Sequence, residues 1–573
     1  MTLIDTLVLA LYLIGTLAIG LHYAGRNKRS QDMFAAGGKS PWWVSGLSGF
    51  MTLKSAGTFV VWGGLAYREG VVAIAITTCI AASGLLVGLL VAGPWRRTGV
   101  STPAEFVELR FGKGAVQLYT WAMMGVRIVT SGVALYAVSV MLVVLVPLDS
   151  GNPLRDPATG HLGLHFAILL FGAIVVAYTV AGGLWAVLMT DVLQFIVLQL
   201  AVLFVIPLLW MKLHRGAELA PLPENFFSPL SDQYTLWFMA GWVAVHFFLV
   251  GAEWAFAQRY ICVPSDRDAK KSAFLFAGLY LISPALWLTP PILFRMMQAD
   301  ANPEQAYILA SQLVLPVGML GLMMAAMFSA TASAVSGQIN VFAGVLTEQF
   351  YRRLVPQAGE RQLLNAGRWF SLLIGMALMV VALMVPFMGG AEKIVLVLTG
   401  MLLGPLMAPT IWGLLSGRIG MGAVVATAAL SFLAGVWVKF GVAMAGVFGS
   451  PVIAAWVAAN PRVADILVGA VLPMLILTVA HLAGPAEQPG WRAVQARFAA
   501  YTPTSPDGEG VDHAPARVVA ISLGASGALA LTLLAWNDTG RGALLAFGVA
   551  MLVIAAIAWR VSRASEYHAA LKI

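Results

Sequence analysis

"MMAAMFSATASAVSGQINVF", Met323 to Phe342, carries no charge, yet its polar side chains fall in register. Ser329, Ser333, Ser336 and Asn340 recur at steps of 4, 3 and 4 residues, a spacing that gathers them on one helix face. Ala330, Ala334 and Gly337 run beside them, so the strip is small as well as polar. It has two readings. One is a seam where another helix approaches closely. The other is a path of hydroxyl and carbonyl oxygens of the kind that ligate a cation where membrane helices are broken.

The composition around this stretch places it in a bilayer. Of 573 residues, 60% are hydrophobic and 10% charged, against roughly 45–50% and 25% in soluble domains. An ordinary soluble enzyme is excluded. At about 20 apolar residues per span, fifteen runs can be marked, at 4–24, 42–67, 71–94, 115–147, 164–182, 184–211, 234–257, 272–295, 310–348, 369–388, 391–415, 420–446, 464–483, 517–536 and 541–559. The fold class is thus an all-α integral membrane protein with about 15 transmembrane helices. The first run is no signal peptide, because its only preceding charge is Asp5 and its basic cluster, Arg26, Lys28 and Arg29, follows it. An N-terminus outside and a C-terminus inside are expected, in the plasma (cell inner) membrane. Most of the 34 Lys and Arg residues then fall on the inner side, among them Arg96, Arg97, Arg110, Lys270 and Arg353. The net charge of +8 reads as topology rather than nucleic-acid binding. Cys79 and Cys262 support neither a disulfide framework nor a zinc site. The polar run 484–516 reads as a flexible cytoplasmic linker, and 517–573 as a separate hairpin and tail.

Soluble catalytic motifs fail. There is no H-E-x-x-H, and "GGKS" at 37–40 has Met33 where a phosphate loop needs Gly. What remains is the polar residues at membrane depth, Lys54, Arg127, Asp191, His246, Glu253 and Lys439, each costly there and so a functional candidate. Arg127 lies about 18 Å into its span at 1.5 Å per residue. A guanidinium there suits a carboxylate or phosphate, or pairs with Glu253. Lys439 reads as a snorkelling side chain. The run Pro41 to Gly70, "PWWVSGLSGFMTLKSAGTFVVWGGLAYREG", interleaves Gly46, Gly49, Gly57, Gly63 and Gly64 with hydroxyls, which predicts an unwound stretch lining a cavity.

Four separated strings resemble the sodium/solute symporter family, the group that includes bacterial proline, sialic acid and sugar symporters. They are "YTVAGGLWAVLMTDVLQF" (Tyr178 to Phe195), "WRRTGVSTPAEFVELRFGKG" (Trp95 to Gly114), "AQRYICV" (Ala257 to Val263) and "SGQINVFAGVLTEQFYRR" (Ser336 to Arg353). The resemblance implies a LeuT-type fold, ten core helices at 40–415 in inverted five-helix repeats, 40–212 and 234–415. Residues 1–30 would add an N-terminal helix and 420–483 two peripheral helices. Gly57 and Gly251, at mid-depth in the first helix of each repeat, suit paired discontinuous helices.

Carried over residue by residue, the family's main sodium site would use carbonyls near Met51, Lys54 and Ala330 and the hydroxyl of Ser333. Its second hydroxyl falls on Ala334. A further sodium site would use Asp191, Ser333, Ser336 and position 337, here Gly337. Each site thus lacks one hydroxyl. The solute would meet Thr58, Thr77 and His246, with Arg127 and Glu253 as further candidates. Lys54 departs from the family pattern, in which members usually have an uncharged residue there. Either its side chain turns away while its carbonyl ligates sodium, or its ammonium takes the cation site and pairs with Asp191. The resemblance implies symport of a small polar organic solute by alternating access, coupled to sodium, with no cofactor and no enzymatic step. The alternatives are a proton-coupled or ion-independent transporter with Lys54 in place of sodium, and a membrane solute sensor. No motif encodes an oligomeric state.

Overall fold

The computed structural model describes residues 2–24, 38–179, 184–215, 219–441, 451–502, 514–535 and 541–570. The cluster Arg26, Lys28 and Arg29, the Gly182–Gly183 pair, and the side chains of Asn340 and of 177–190 lie outside that description. No strand occurs among the described residues; two isolated bridges, Pro147 with His161 and Arg155 with Leu162, fold one loop.

In chain order the helices are α1 (Leu3–Ala24), α2 (Trp42–Thr52), α3 (Gly63–Glu69), α4 (Val72–Leu90), α5 (Lys113–Leu145), α6 (Leu164–Thr179) and α7 (Leu184–His214). After them come α8 (Leu236–Ala252), α9 (Trp254–Ile261), α10 (Asp266–Met297), α11 (Met319–Val345) and α12 (Glu360–Met384). Nine described helices or helix runs are long and apolar enough to cross a membrane, and ten if the bent pair α8–α9 is one span. The other expected spans coincide with helices that are shorter or interrupted, such as α1, α6 and α2–α3.

Both discontinuities expected of the repeats are present. α2 ends at Thr52, and helix resumes at the π-helical turn Thr58–Trp62 that leads into α3. α8 and α9 meet at a 56° bend. The second break falls on Glu253 rather than Gly251: Glu253 is extended, φ −62° and ψ 137°, and caps both helices. Gly251 serves packing, since a Cβ there would press on Ile411 at 2.8 Å.

The run 310–348 is not one span. A short helix, Ala306–Val314, ends before Pro316, and Gly318 turns the chain at φ +89° into α11. Asp5 explains the start of α11. Its Oδ1 accepts the amides of Gly318 at 2.7 Å and Gly321 at 3.1 Å, so α1 caps α11 from outside the core.

Beyond α12 the chain runs through α13 (Ala391–Val397), a π-helical turn (Leu398–Leu403) and α14 (Gly404–Leu415). Two further interrupted helices follow. α15 (Met421–Val436) continues into the turn Trp437–Gly441, and α16 (Pro461–Ile466) passes through the turn Leu467–Val471 into α17 (Leu472–Ala483). The turns Leu398–Leu403 and Leu467–Val471 cross at bare backbone. A Cβ on Gly469 would overlap the carbonyl oxygen of Gly400, and one on Gly404 would overlap that of Gly469. Gly400 and Gly404 form a small-x-x-x-small pair that admits this approach. Beside the crossing Lys439 does not simply snorkel: its Nζ lies 2.6 Å from Oδ1 of the buried Asp465.

The expected linker is also revised, because its first part forms α18 (Pro489–Ala500). This helix lies against the short helix Pro103–Phe111, with Arg497 paired to Glu105 at 3.0 Å. Trp491 covers the Arg110 guanidinium at 5.6 Å, and the Tyr501 hydroxyl accepts the amide of Asp266 at 3.0 Å. Arg110 donates to the carbonyls of Gly413, Ser416 and Ile419. Burial pushes this guanidinium down to about 10, so it stays charged at neutral pH. Residues 503–513 lie outside the description. The final hairpin, α19 (Ala514–Thr532) and α20 (Arg541–Ala570), packs on α7, and α19 also meets α1.

Candidate functional site

The break between α2 and α3 leaves backbone groups that a continuous helix would satisfy. Local side chains take them up. Thr58 Oγ1 accepts the Ser55 amide and donates to the Leu53 carbonyl, both at 3.3 Å. The amide of Ala56 donates to Thr331 Oγ1 at 2.9 Å, which pins the break to α11. A cavity of about 280 Å³ opens beside this break, near the lower end of small-ligand sites. Its walls come from α2–α3, α4, α5, α7, α8, α9, α10, α11, α13 and the turn Leu398–Leu403, with hydroxyls interleaved among apolar side chains such as Trp62 and Trp242.

Asp191, on α7, anchors one end. Its Oδ2 accepts from Ser48 at 2.7 Å and its Oδ1 from Ser333 at 3.4 Å. Arg259 of α9 approaches Asp191 Oδ2 at 3.9 Å and also donates to Ser48 at 3.2 Å and to the Ala255 carbonyl at 3.0 Å. One carboxylate thus joins α2, α7, α9 and α11. Ser336 donates to the Ser333 carbonyl at 3.1 Å, and Ser329 accepts from Gln194 at 2.7 Å.

Lys54 does not join that network. Its Nζ lies 4.5 Å from the ring centre of Tyr280, 4.7 Å from Trp287 and 5.0 Å from Phe50, an aromatic box built by α2 and α10. Asp191 instead has Arg259 as its cation, so of the two alternatives for Lys54 the geometry has its side chain turned away from Asp191. The box explains the preference: ring faces attract an ammonium while excluding water.

At the other end, Arg127 of α5 pairs with Glu253 at 3.0 Å, so the guanidinium grips the hinge between α8 and α9. The carboxylate is 2% exposed. His246 places Nδ1 3.0 Å from the Trp242 carbonyl. A carbonyl only accepts, so Nδ1 carries the hydrogen. Thr77 donates to the Ala73 carbonyl at 2.8 Å.

Of the residues singled out from the sequence, Met51, Lys54, Thr58, Thr77, Arg127, Asp191, His246, Ser333, Ala334 and Ser336 line this one cavity. Ala330 is buried on α11 behind it, and Glu253 reaches it through Arg127. Arg259, Ser48 and Thr331 join the site without a signal in the sequence pattern that singles them out, although Arg259 stands in the string "AQRYICV".

The fold is similar to that of a solved sodium-coupled sialic acid symporter in a substrate-bound, outward-open state. The two superpose with a TM-score of 0.67 at 21% identity, over 85% of this chain and 99% of that one. The architecture is a LeuT-type membrane transporter. The chain belongs to the sodium:solute symporter family, whose description matches residues 33–221 and 273–429, a family of transporters rather than enzymes. Its relatives include the sodium/glucose cotransporter of Vibrio parahaemolyticus, 26% identical over 441 residues that cover 68% of this chain and 76% of the relative. The sodium/sialic acid symporter NanT of Aliivibrio fischeri is 24% identical over 404 residues, 65% of this chain and 75% of that protein.

Proposed function

We propose that the protein couples the sodium gradient to uptake of a small polar organic solute by alternating access across the cytoplasmic membrane, its N-terminus outside and its C-terminus inside. The observation that carries this reading is the meeting of the α2–α3 break with Asp191 and Ser333 at one cavity. Sodium is cargo here, bound by hard oxygen donors. The Ser333 hydroxyl and the backbone carbonyls of Met51, Lys54 and Ala330 supply them, and Ala334 contributes none from its side chain. Asp191 and Ser336 extend the donor set. Its carboxylate, already balanced by Arg259, adds field without leaving an unpaired charge when sodium departs. The solute lies against Thr58, Thr77 and His246, with Arg127 oriented by Glu253. The ten-helix core takes 40–415, with the added helices around it. Seating Lys54 in its aromatic box supports sodium over the ammonium as the ion beside Asp191.

The test is stabilisation of the purified protein by sodium, which follows mass action when an ion binds only the folded state. Ser333→Ala should shift the sodium midpoint upward by about tenfold, the loss of roughly one ligand worth 1.4 kcal/mol. A parent whose melting ignores sodium over potassium sinks the sodium assignment; an unchanged midpoint in a folded Ser333→Ala variant removes Ser333 from the site.

A further inference from the structure

Charge in the cavity is unevenly matched. Among the described residues three cationic side chains line it, Lys54, Arg127 and Arg259, and two carboxylates answer them, Glu253 to Arg127 and Asp191 to Arg259. Lys54 is 5% exposed and has three rings but no carboxylate partner. Aromatic faces hold a cation through their quadrupole. A quadrupole carries no net charge, so the rings seat the ammonium without neutralising it. When protonated, Lys54 leaves one positive charge unmatched in a water-poor setting, where electrostatics weigh more than in bulk water and an anion beside the ammonium favours its charged form. Sodium would add to the excess rather than cancel it.

Two features indicate what completes the balance. Arg127 spends one Nη2 contact on Glu253, and its buried Nε has no hydrogen-bond partner, so the guanidinium keeps donors to spare. Around it Thr58, Thr77, Thr130 and Ser131 line the same cavity; the first three give their hydroxyl hydrogens to backbone carbonyls, which leaves Ser131 to donate to an oxygen-rich solute.

We propose that the solute is a small carboxylate monoanion, and that Lys54 is the specificity-determining residue whose ammonium selects it over neutral and cationic analogues. This rests on the symport reading and narrows it to a substrate class. The anion offsets the unmatched ammonium, and sodium and solute then enter together with no net charge added to the cavity. Arg127 contributes directed hydrogen bonds, and Lys54 contributes the unshared charge.

The experiment uses full-length protein in liposomes with an inward sodium gradient and an equimolar mixture of three matched series: short hydroxy- and oxo-carboxylates, their primary amides and the corresponding amines. Accumulated solutes are identified by mass spectrometry. The parent should accumulate one or more carboxylates and none of their amides or amines. Lys54→Met, a side chain that keeps favourable contacts with aromatic rings, should lower the carboxylate-to-amide ratio by about tenfold to a hundredfold, the worth of a hydrogen bond to a charged group. Lys54→Arg should retain the ratio. Sodium-driven accumulation of amides or amines as well as carboxylates overturns the inference while leaving symport standing, as does an unchanged ratio in Lys54→Met. No sodium-driven accumulation in any series overturns the symport reading, and the inference with it.

Discussion

Arg127 and Glu253 permit a quantitative test of what holds the second hinge. The carboxylate is 2% exposed and touches the guanidinium at one point, Nη2 to Oε1 at 3.0 Å, while Arg127 Nε and Glu253 Oε2 have no hydrogen-bond partner. Glu253→Gln keeps the shape but leaves a buried guanidinium without its counter-charge, at a cost of about 3–5 kcal/mol. Arg127→Met strands the carboxylate and should cost a similar amount. Removing both charges together removes the reason for either penalty, so the double variant should recover most of the loss. The resulting coupling is about 3 kcal/mol or more, well outside the roughly 0.5 kcal/mol scatter of independent sites. Reversible unfolding of purified protein in mixed detergent micelles, titrated with sodium dodecyl sulfate, measures all corners of the cycle. Single variants that each cost under about 1 kcal/mol, or a double variant that loses the sum, would refute the view that this pair is a buried, mutually dependent contact.

Other expectations follow from contacts away from the cavity. Gly469→Ala should abolish stable expression, because its Cβ meets the Gly400 backbone rather than a yielding side chain; a fluorescence size-exclusion profile reports it, and a normal peak contradicts the crossing. Lys439→Met should destabilise more than Asp465→Asn, by about 2 kcal/mol, since the stranded Asp465 is buried whereas Lys439 is 29% exposed and can reach the interface; equal midpoints would count against the pair. A reporter fused after Ile573 should read cytoplasmic and one at the N-terminus extracytoplasmic, and both on one side would overturn the proposed orientation.

Hydropathy alone marks the nine or ten long apolar helices, because a bilayer forces each apolar run to satisfy its own backbone. Interruptions were harder to place. Glycine density located the α2–α3 break, but at Glu253 the discontinuity arises from one extended residue between two capped helices, and no composition signals that. The linker misled for a different reason. Its polar centre, 503–513, masks the amphipathic "PGWRAVQARFAA" before it, where Pro489 starts a helix and Trp491, Val494 and Phe498 fall on one side. Within the site, periodicity on α11 exposed Ser333 and Ser336 but passed over Thr331. That residue shares neither step, yet it is the one that takes the Ala56 amide. Arg259 was hidden by the positive-inside rule, which treats a charge near a span end as topology and is silent about whether its side chain turns back into the core.

The bare-backbone crossing at Gly400, Gly404 and Gly469 has a mechanical consequence. Side chains between two helices act as compliant spacers, able to change rotamer while one helix slides; here there are none to yield. Thr399 and Leu403, each immediately before one of the glycines Gly400 and Gly404, line the cavity. The run α16–α17 is therefore geared to the cavity wall without backlash, whereas α15 meets the same turn through the Met401 side chain. When that wall shifts, α16–α17 must be dragged through the surrounding lipid with it, so the viscosity and thickness of the bilayer become part of the load on the transport cycle.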